Sequence, residues 1–160
     1  MKDVRPTSNK VLLALFNILG DKVIDSKFLD LFSGTGRVGL EAIRHGASSC
    51  VFVESVKSRA DSIRKQINSD TAIILSLEIR RALSWLVKRG MRFNIIFADP
   101  PYNSGWGEVL TSLANLEDIF DDDALLIIEH SIREKINSHN LQIVLIKEYG
   151  ETCLTFMKKE

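Results

Sequence analysis

The chain has 160 residues, 45% of them hydrophobic and 26% charged, and its formal charge at pH 7 is zero. A chain of this length fits one domain and can bury roughly 70% of the surface its unfolded form exposes, enough for a real core. No apolar run approaches the ~20 residues of a membrane span, and the first residues lack a signal-peptide hydrophobic segment, so a membrane or secreted protein is not expected.

The elements follow in order. Thr7 or Ser8 can cap a helix spanning about residues 8–20, with Val11, Leu12, Leu15, Phe16 and Leu19 on its apolar face. Phe28 to Phe32 reads as a short strand, and Ser33-Gly34-Thr35-Gly36 turns the chain into a helix ending at Arg44. Cys50 to Val53 is a second strand, ending at Glu54, followed by a polar helix over about 56–68. Ala72 to Leu77 is a third strand and Ile79 to Arg89 a third helix in this alternation. Phe93 to Ala98 is an apolar run of the kind that forms a buried parallel strand. Trp106 to Leu116 is expected to be helical, Ala124 to Glu129 a strand, and residues 131–137 a short helix. Two adjacent strands, Leu141 to Lys147 and Thr152 to Met157, close the chain. Strand–helix alternation ending in two adjacent strands predicts one α/β domain over 1–160, a doubly wound sheet with a terminal hairpin.

Charge is unevenly spread. Residues 1–92 hold 16 Lys and Arg against 9 Asp and Glu, and residues 93–160 hold 5 against 12. The two cysteines, Cys50 and Cys153, form no C-x-x-C pair and read as reduced thiols of a cytoplasmic protein. The three histidines and two cysteines have no metal-ligand spacing, so no metal is expected.

Open α/β sheets bind ligands at the carboxyl ends of their strands. Gly34-Thr35-Gly36 lies at such an end and opens a helix, whose N-terminus favours a nearby negative group. Glu54 ends the next strand 20 residues after Gly34, the spacing at which a carboxylate can hold a ribose diol. Gly34, Gly36 and Gly39 also satisfy G-x-G-x-x-G, which keeps a nicotinamide cofactor open. Asp30 weighs against it: a carboxylate four residues before Gly34 would repel a pyrophosphate but suits an ammonium. S-adenosylmethionine has an ammonium, a ribose diol and no phosphate. The plainer alternatives are a glycine turn that serves packing and an Asp30 that caps a turn.

After the fourth strand come Asp99, Pro100, Pro101 and Tyr102. The lone pair of an exocyclic amine on a base is delocalised into the ring. Acceptors aimed at its hydrogens, such as Asp99 and the Pro100 carbonyl, favour a more tetrahedral nitrogen and stabilise the charge that develops there. Two prolines fix φ and remove competing N–H donors. Tyr102 offers a face for a base to stack on. A rigid strand-ending turn is the plainer reading.

Asp30-Leu31-Phe32-Ser33-Gly34-Thr35-Gly36 and Asp99-Pro100-Pro101-Tyr102 resemble motifs I and IV of class I S-adenosylmethionine-dependent amino-methyltransferases. Arg5-Pro6-Thr7-Ser8 leading into Ala14 to Leu19, Gly39-Leu40-Glu41-Ala42, and Tyr149-Gly150-Glu151-Thr152 narrow the resemblance to the RsmD family. That family makes N2-methylguanine in 16S ribosomal RNA within assembling small subunits. The resemblance spans nearly the whole chain. It implies a Rossmann-like seven-stranded sheet of order 3-2-1-4-5-7-6 with strand 7 antiparallel. It also implies that Asp30, Phe32, Ser33, Gly34, Gly36 and Asp99 line S-adenosylmethionine, that Glu54 holds its ribose, and that Asp99 to Tyr102 form the catalytic loop.

Three places differ from the family pattern. Only four residues precede Arg5, where a basic, glycine-containing segment is usual. Leu12-Leu13 stand where an Arg-Glu pair is common. Arg81 stands where an acid or amide usually meets adenine, which leaves the backbone N–H of Ala82 for that contact. Other readings remain: an N6-adenine or N4-cytosine DNA methyltransferase, which also uses a D/N-P-P-Y loop, or a cofactor-binding module of ribosome assembly that does not catalyse. If RNA docks, the expectation is that phosphates approach over the side of strands 2 and 3, with Arg89 and Arg92 among their contacts.

Overall fold

The run Lys27–Leu31 is buried at every position but its first, as a strand covered on both faces must be. In the computed structural model, which describes residues 7–68 and 70–160, this run is β1. It pairs in parallel with β2 (Ser49–Val53) on one side and β4 (Phe93–Ala98) on the other. β3 (Ala72–Leu75) pairs beyond β2 and β5 (Phe120–Ser131) beyond β4, both in parallel. β7 (Thr152–Lys159) then runs antiparallel between β5 and β6 (Leu141–Tyr149). The sheet therefore has seven strands in the order 3-2-1-4-5-7-6 with β7 antiparallel, as the resemblance implies.

Alternate residues of each strand point to opposite faces, so the core has two halves. On one face Leu29, Leu31, Val51, Val53 and Ile96 pack under α4 (Ile79–Lys88) and α5 (Trp106–Ser112). On the other, Phe28, Cys50, Phe52, Ile95 and Phe97 pack under α1 (Asn9–Leu19), α2 (Arg37–Arg44) and α3 (Lys57–Gln66). Ser8 caps α1, its Oγ accepting the Val11 N–H at 3.2 Å. The five apolar residues expected on the inner face of α1 are its buried residues. No helix among the described residues is long and apolar enough to cross a membrane.

Three elements differ from expectation. α5 stops at Ser112, and a 3-10 turn at Glu117–Ile119 leads into a β5 that starts at Phe120 rather than Ala124. The helix expected over 131–137 is absent. β5 continues to Ser131 through pairing with Thr152, and the Glu151 carbonyl takes the Ile132 N–H at 2.9 Å. Asn137 gives its carbonyl to the Thr111 hydroxyl at 2.5 Å. The two ends of the expected helix are instead held by groups far along the chain.

The strand order also turns the charge split into a spatial one. β1, β2 and β3 come from the basic stretch of sequence, and β4 to β7 from the acidic stretch.

Candidate active site

The chain crosses to opposite faces of the sheet after β1 and β3, so β1 and β4 flank a topological switch point. A cleft of about 680 Å³ opens there, at the carboxyl ends of the strands. Asp30, Phe32, Ser33, Gly34, Glu54, Asp99, Pro100, Pro101 and Tyr102, nine of the residues anticipated from sequence, line it together.

The turn after β1 is held by carboxylates. Gly34 and Gly36 have φ of +59° and +81°, which side-chain-bearing residues rarely adopt. Phe32 also has a positive φ, +56°, and its ring meets Trp106 edge-on at 5.6 Å. Glu54 Oε1 accepts the Gly34 N–H and its Oε2 accepts the Val56 N–H, each at 2.8 Å. Asp30 Oδ2 accepts the N–H of Gly39 at 3.0 Å, fixing the start of α2 to the end of β1. Burial pushes the Asp30 carboxyl up to about 7 against the pull of that N–H, and the charge of Glu54 adds to the rise.

Asp99 follows β4, and Glu129 stands one residue before His130 on β5. The register pairs Ala98 with Ile128, which sets the next residues, Asp99 and Glu129, side by side at the cleft. Thr7 lies against them. Its hydroxyl donates to Asp99 Oδ2 at 3.5 Å, and its carbonyl accepts from Arg37 Nη1 at 2.7 Å. Burial raises Asp99 well above the usual carboxylate range, with the charges of Glu129 and Asp30 adding to it and Thr7 opposing. Burial raises Glu129 to about 7. Tyr102 is 54% exposed and forms the outer lip.

Gly36 and Ala82 are placed apart from the lining. Gly36 caps α2, where an added Cβ would sit 2.9 Å from Ile63. Ala82 is a full turn inside α4 and fully buried, and its N–H donates to the Glu78 carbonyl at 2.9 Å. The helix begins at Ile79, as expected, where the Glu78 carboxylate caps it by accepting from Arg80 and Arg81 N–H, so the Ala82 N–H is already spent inside it. Leu77, Glu78 and Ile79 line the cleft instead. Of the Arg5-Pro6-Thr7-Ser8 stretch, Arg5 and Pro6 lie outside the described residues.

Arg89 and Arg92 also stand differently from expectation. They follow α4 and precede β4, at the end of the sheet opposite the cleft; Arg89 stacks on Trp85 at 3.7 Å, and Arg92 contributes to lowering the Asp121 carboxyl. Arg80 is at the cleft end, 5.1 Å from the ring of Trp106, which itself lines the cleft. His45 ends α2, bonded to Glu41 at 3.0 Å and stacked on Phe16. His130 reaches the cleft, but Ser131 O and Thr155 Oγ1 engage its two ring nitrogens at 2.8 and 2.7 Å.

Sequence reading missed Thr7 and Arg37 as cleft residues and missed Glu129 altogether. The signal for Glu129 was available: it follows the apolar run Ala124 to Ile128, as Asp99 follows Phe93 to Ala98.

This sheet order, with a glycine turn after β1, an acid after β2 and Asp-Pro-Pro-Tyr after β4, defines a class I methyltransferase. A family model described as "Conserved hypothetical protein 95" matches residues 1–158, and the chain belongs to that family, the RsmD family. Ribosomal RNA small subunit methyltransferase D of Escherichia coli (strain K12) is 30% identical over 129 residues, covering 81% of this chain. The match spans 65% of that relative's length. YlbH of Bacillus subtilis (strain 168) is 28% identical over 161 residues, covering 97% of this chain and 88% of its own. The solved structure of yhhF from Escherichia coli superposes with a TM-score of 0.81 at 28% identity, covering 98% of this chain and 88% of that one.

Proposed function

We propose that the protein transfers a methyl group from S-adenosylmethionine to the exocyclic N2 of a guanine in 16S ribosomal RNA, within an assembling small ribosomal subunit. The observation that carries this reading is the meeting of Asp99-Pro100-Pro101-Tyr102 with the Gly34 turn and Glu54 in one cleft. The name of the Escherichia coli relative supports ribosomal RNA of the small subunit as the substrate class.

The residues of the cleft fit S-adenosylmethionine. Each Glu54 oxygen accepts one N–H and keeps capacity for a ribose hydroxyl. Asp30 offers a buried carboxylate toward an ammonium, and Phe32, Leu77 and Ile79 offer apolar surface to a ring. When bound, S-adenosylmethionine supplies an electrophilic methyl on a sulfonium that departs as a neutral thioether. Asp99 and the Pro100 carbonyl accept the two amine hydrogens, which frees the nitrogen lone pair from the base ring. Asp99 opposes the positive charge that develops on nitrogen as its bond to the methyl carbon forms. With its pKa raised, Asp99 is suited to receive the proton that the nitrogen then loses. Tyr102 stacks on the base at the rim.

The test is methyl transfer from labelled S-adenosylmethionine to unmethylated small subunits, naked ribosomal RNA and DNA, with nucleoside mass spectrometry of the product. N2-methylguanosine from the ribosomal substrates is expected. N6-methyladenosine or N4-methylcytosine would overturn the base assignment, and absence of transfer despite cofactor binding would overturn the activity.

A further inference from the structure

We infer that Glu129 is a specificity-determining residue that accepts the ring N1–H of the target guanine while Asp99 engages the neighbouring amine. The inference rests on the guanine-N2 reading above and adds to it the group that distinguishes guanine from the other amino-bearing bases.

Four observations place Glu129 in this role. It is adjacent to Asp99 across the β4–β5 register, and both line the cleft. Its Oε1 is buried and has no hydrogen-bond partner among the described residues. No Lys or Arg forms an ion pair with Glu129, Asp99 or Asp30 among the described residues, although seven other ion pairs occur. Its neighbour His130 is already committed to Ser131 and Thr155. A buried acceptor left without a donor costs about 1–3 kcal/mol, so it marks a place where a partner arrives.

Two adjacent carboxylates call for two adjacent donors. Guanine alone among the amino-bearing bases presents them, N1–H beside the N2 amine. In adenine and cytosine the ring nitrogen beside the amine carries a lone pair, which an ionised Glu129 would repel. Burial favours the neutral form of Glu129, and an N–H donated to it favours the ionised form again. Guanine thus restores the charge state that recognises it. The other acidic groups lining the cleft are Asp30, Glu54, Glu78, Glu134 and Glu151, of which Asp30 acts on Asp99, and the Thr7 hydroxyl is a donor beside both carboxylates of the pair.

The experiment compares wild type with Glu129→Gln, a variant of the same shape. The methylated position is first mapped with wild-type protein. The RNA is then rebuilt with 2-aminopurine there, which keeps the 2-amine but replaces N1–H by a lone pair, and is assembled into small subunits. Wild type should prefer guanine by about 100-fold or more in kcat/KM, because an unmet buried acceptor rejects an analogue strongly. Glu129→Gln should lose about tenfold on guanine and narrow the preference to below about tenfold, since its amide can donate to the bare nitrogen. Binding of S-adenosylhomocysteine should stay at the wild-type value. An unchanged preference in the variant, or a wild type indifferent to the analogue, overturns the inference while leaving guanine-N2 transfer intact. If the wild-type product is not N2-methylguanosine, the underlying reading fails at the mapping step instead.

Discussion

Glu54 Oε1 accepts the Gly34 N–H at 2.8 Å, joining the end of β2 to the turn after β1 across 20 residues of sequence. The acid expected to hold a ribose is therefore also a tie within the protein, with Val56 on its second oxygen. Both functions draw on the same carboxylate. Glu54→Gln replaces one acceptor oxygen by an amide that faces an N–H, and should weaken S-adenosylhomocysteine binding by about 10- to 100-fold. Isothermal titration measures this. An unchanged dissociation constant would mean that Glu54 only ties the turn.

Asp99 is supported by Thr7 at 3.5 Å and crowded by Glu129. Asp99→Ala removes the charge opposite the developing cation, and methyl transfer should fall by about 100- to 1000-fold, as when one transition-state partner is removed. Cofactor affinity should change little. Single-turnover rates separate the two, and a loss confined to cofactor binding would remove Asp99 from the chemistry.

Gly39 has no room for a side chain: an added Cβ would lie 2.3 Å from Phe52 Cε2. Its N–H also serves Asp30. Gly39→Ala should lower the unfolding free energy by about 1–3 kcal/mol through overpacking. The urea midpoint checks this, and a wild-type midpoint would show that Phe52 can turn aside.

The cleft acids give the protein a pH dependence of unusual sign. Asp30 is raised from 3.8 and Glu129 from 4.5, each to about 7. Between their ordinary values and about 7 the folded state holds protons that the unfolded state has released, so these groups lower stability as pH rises through that window. The melting temperature of the ligand-free protein should be higher near pH 5.5 than near pH 8, and Asp30→Asn should flatten the slope. Methyl transfer to guanine should run the other way, rising through about pH 7 as Glu129 ionises. A melting temperature that climbs with pH while Asp30→Asn leaves the slope unchanged would contradict the assignment.

RNA docking is expected at the cleft end of α4. Arg80 stands beside Trp106 there, with Arg81 next to it on the exposed surface, whereas Arg89 and Arg92 are at the opposite end of the sheet. Arg80→Glu with Arg81→Glu should weaken binding to small-subunit RNA and reduce the slope of log affinity against log salt by about 2. Arg89→Glu with Arg92→Glu should change it less. The reverse ranking would restore the docking side suggested by charge pattern alone.

The strand cores, the glycine turn and the carboxylates at or just past the ends of β1, β2 and β4 were legible from sequence, because these are local: apolar runs, turn residues and fixed spacings. The resemblance carried by motifs I and IV supplied the strand order. Residues 131–137 escaped local reading because β5 pairs on to Ser131 and the ends of the segment are tied to Glu151 and Thr111, far from it in sequence. That Leu77 to Ile79 rather than Ala82 line the cleft was decided by the Glu78 cap, and the place of Arg89 at the far end of the sheet by how α4 crosses it. Only the tertiary structure placed Glu129 beside Asp99, with Thr7 against them and Arg37 holding Thr7. Strand register and the return of the N-terminal segment to the cleft join residues 30 and 92 positions apart, a relation no local pattern encodes.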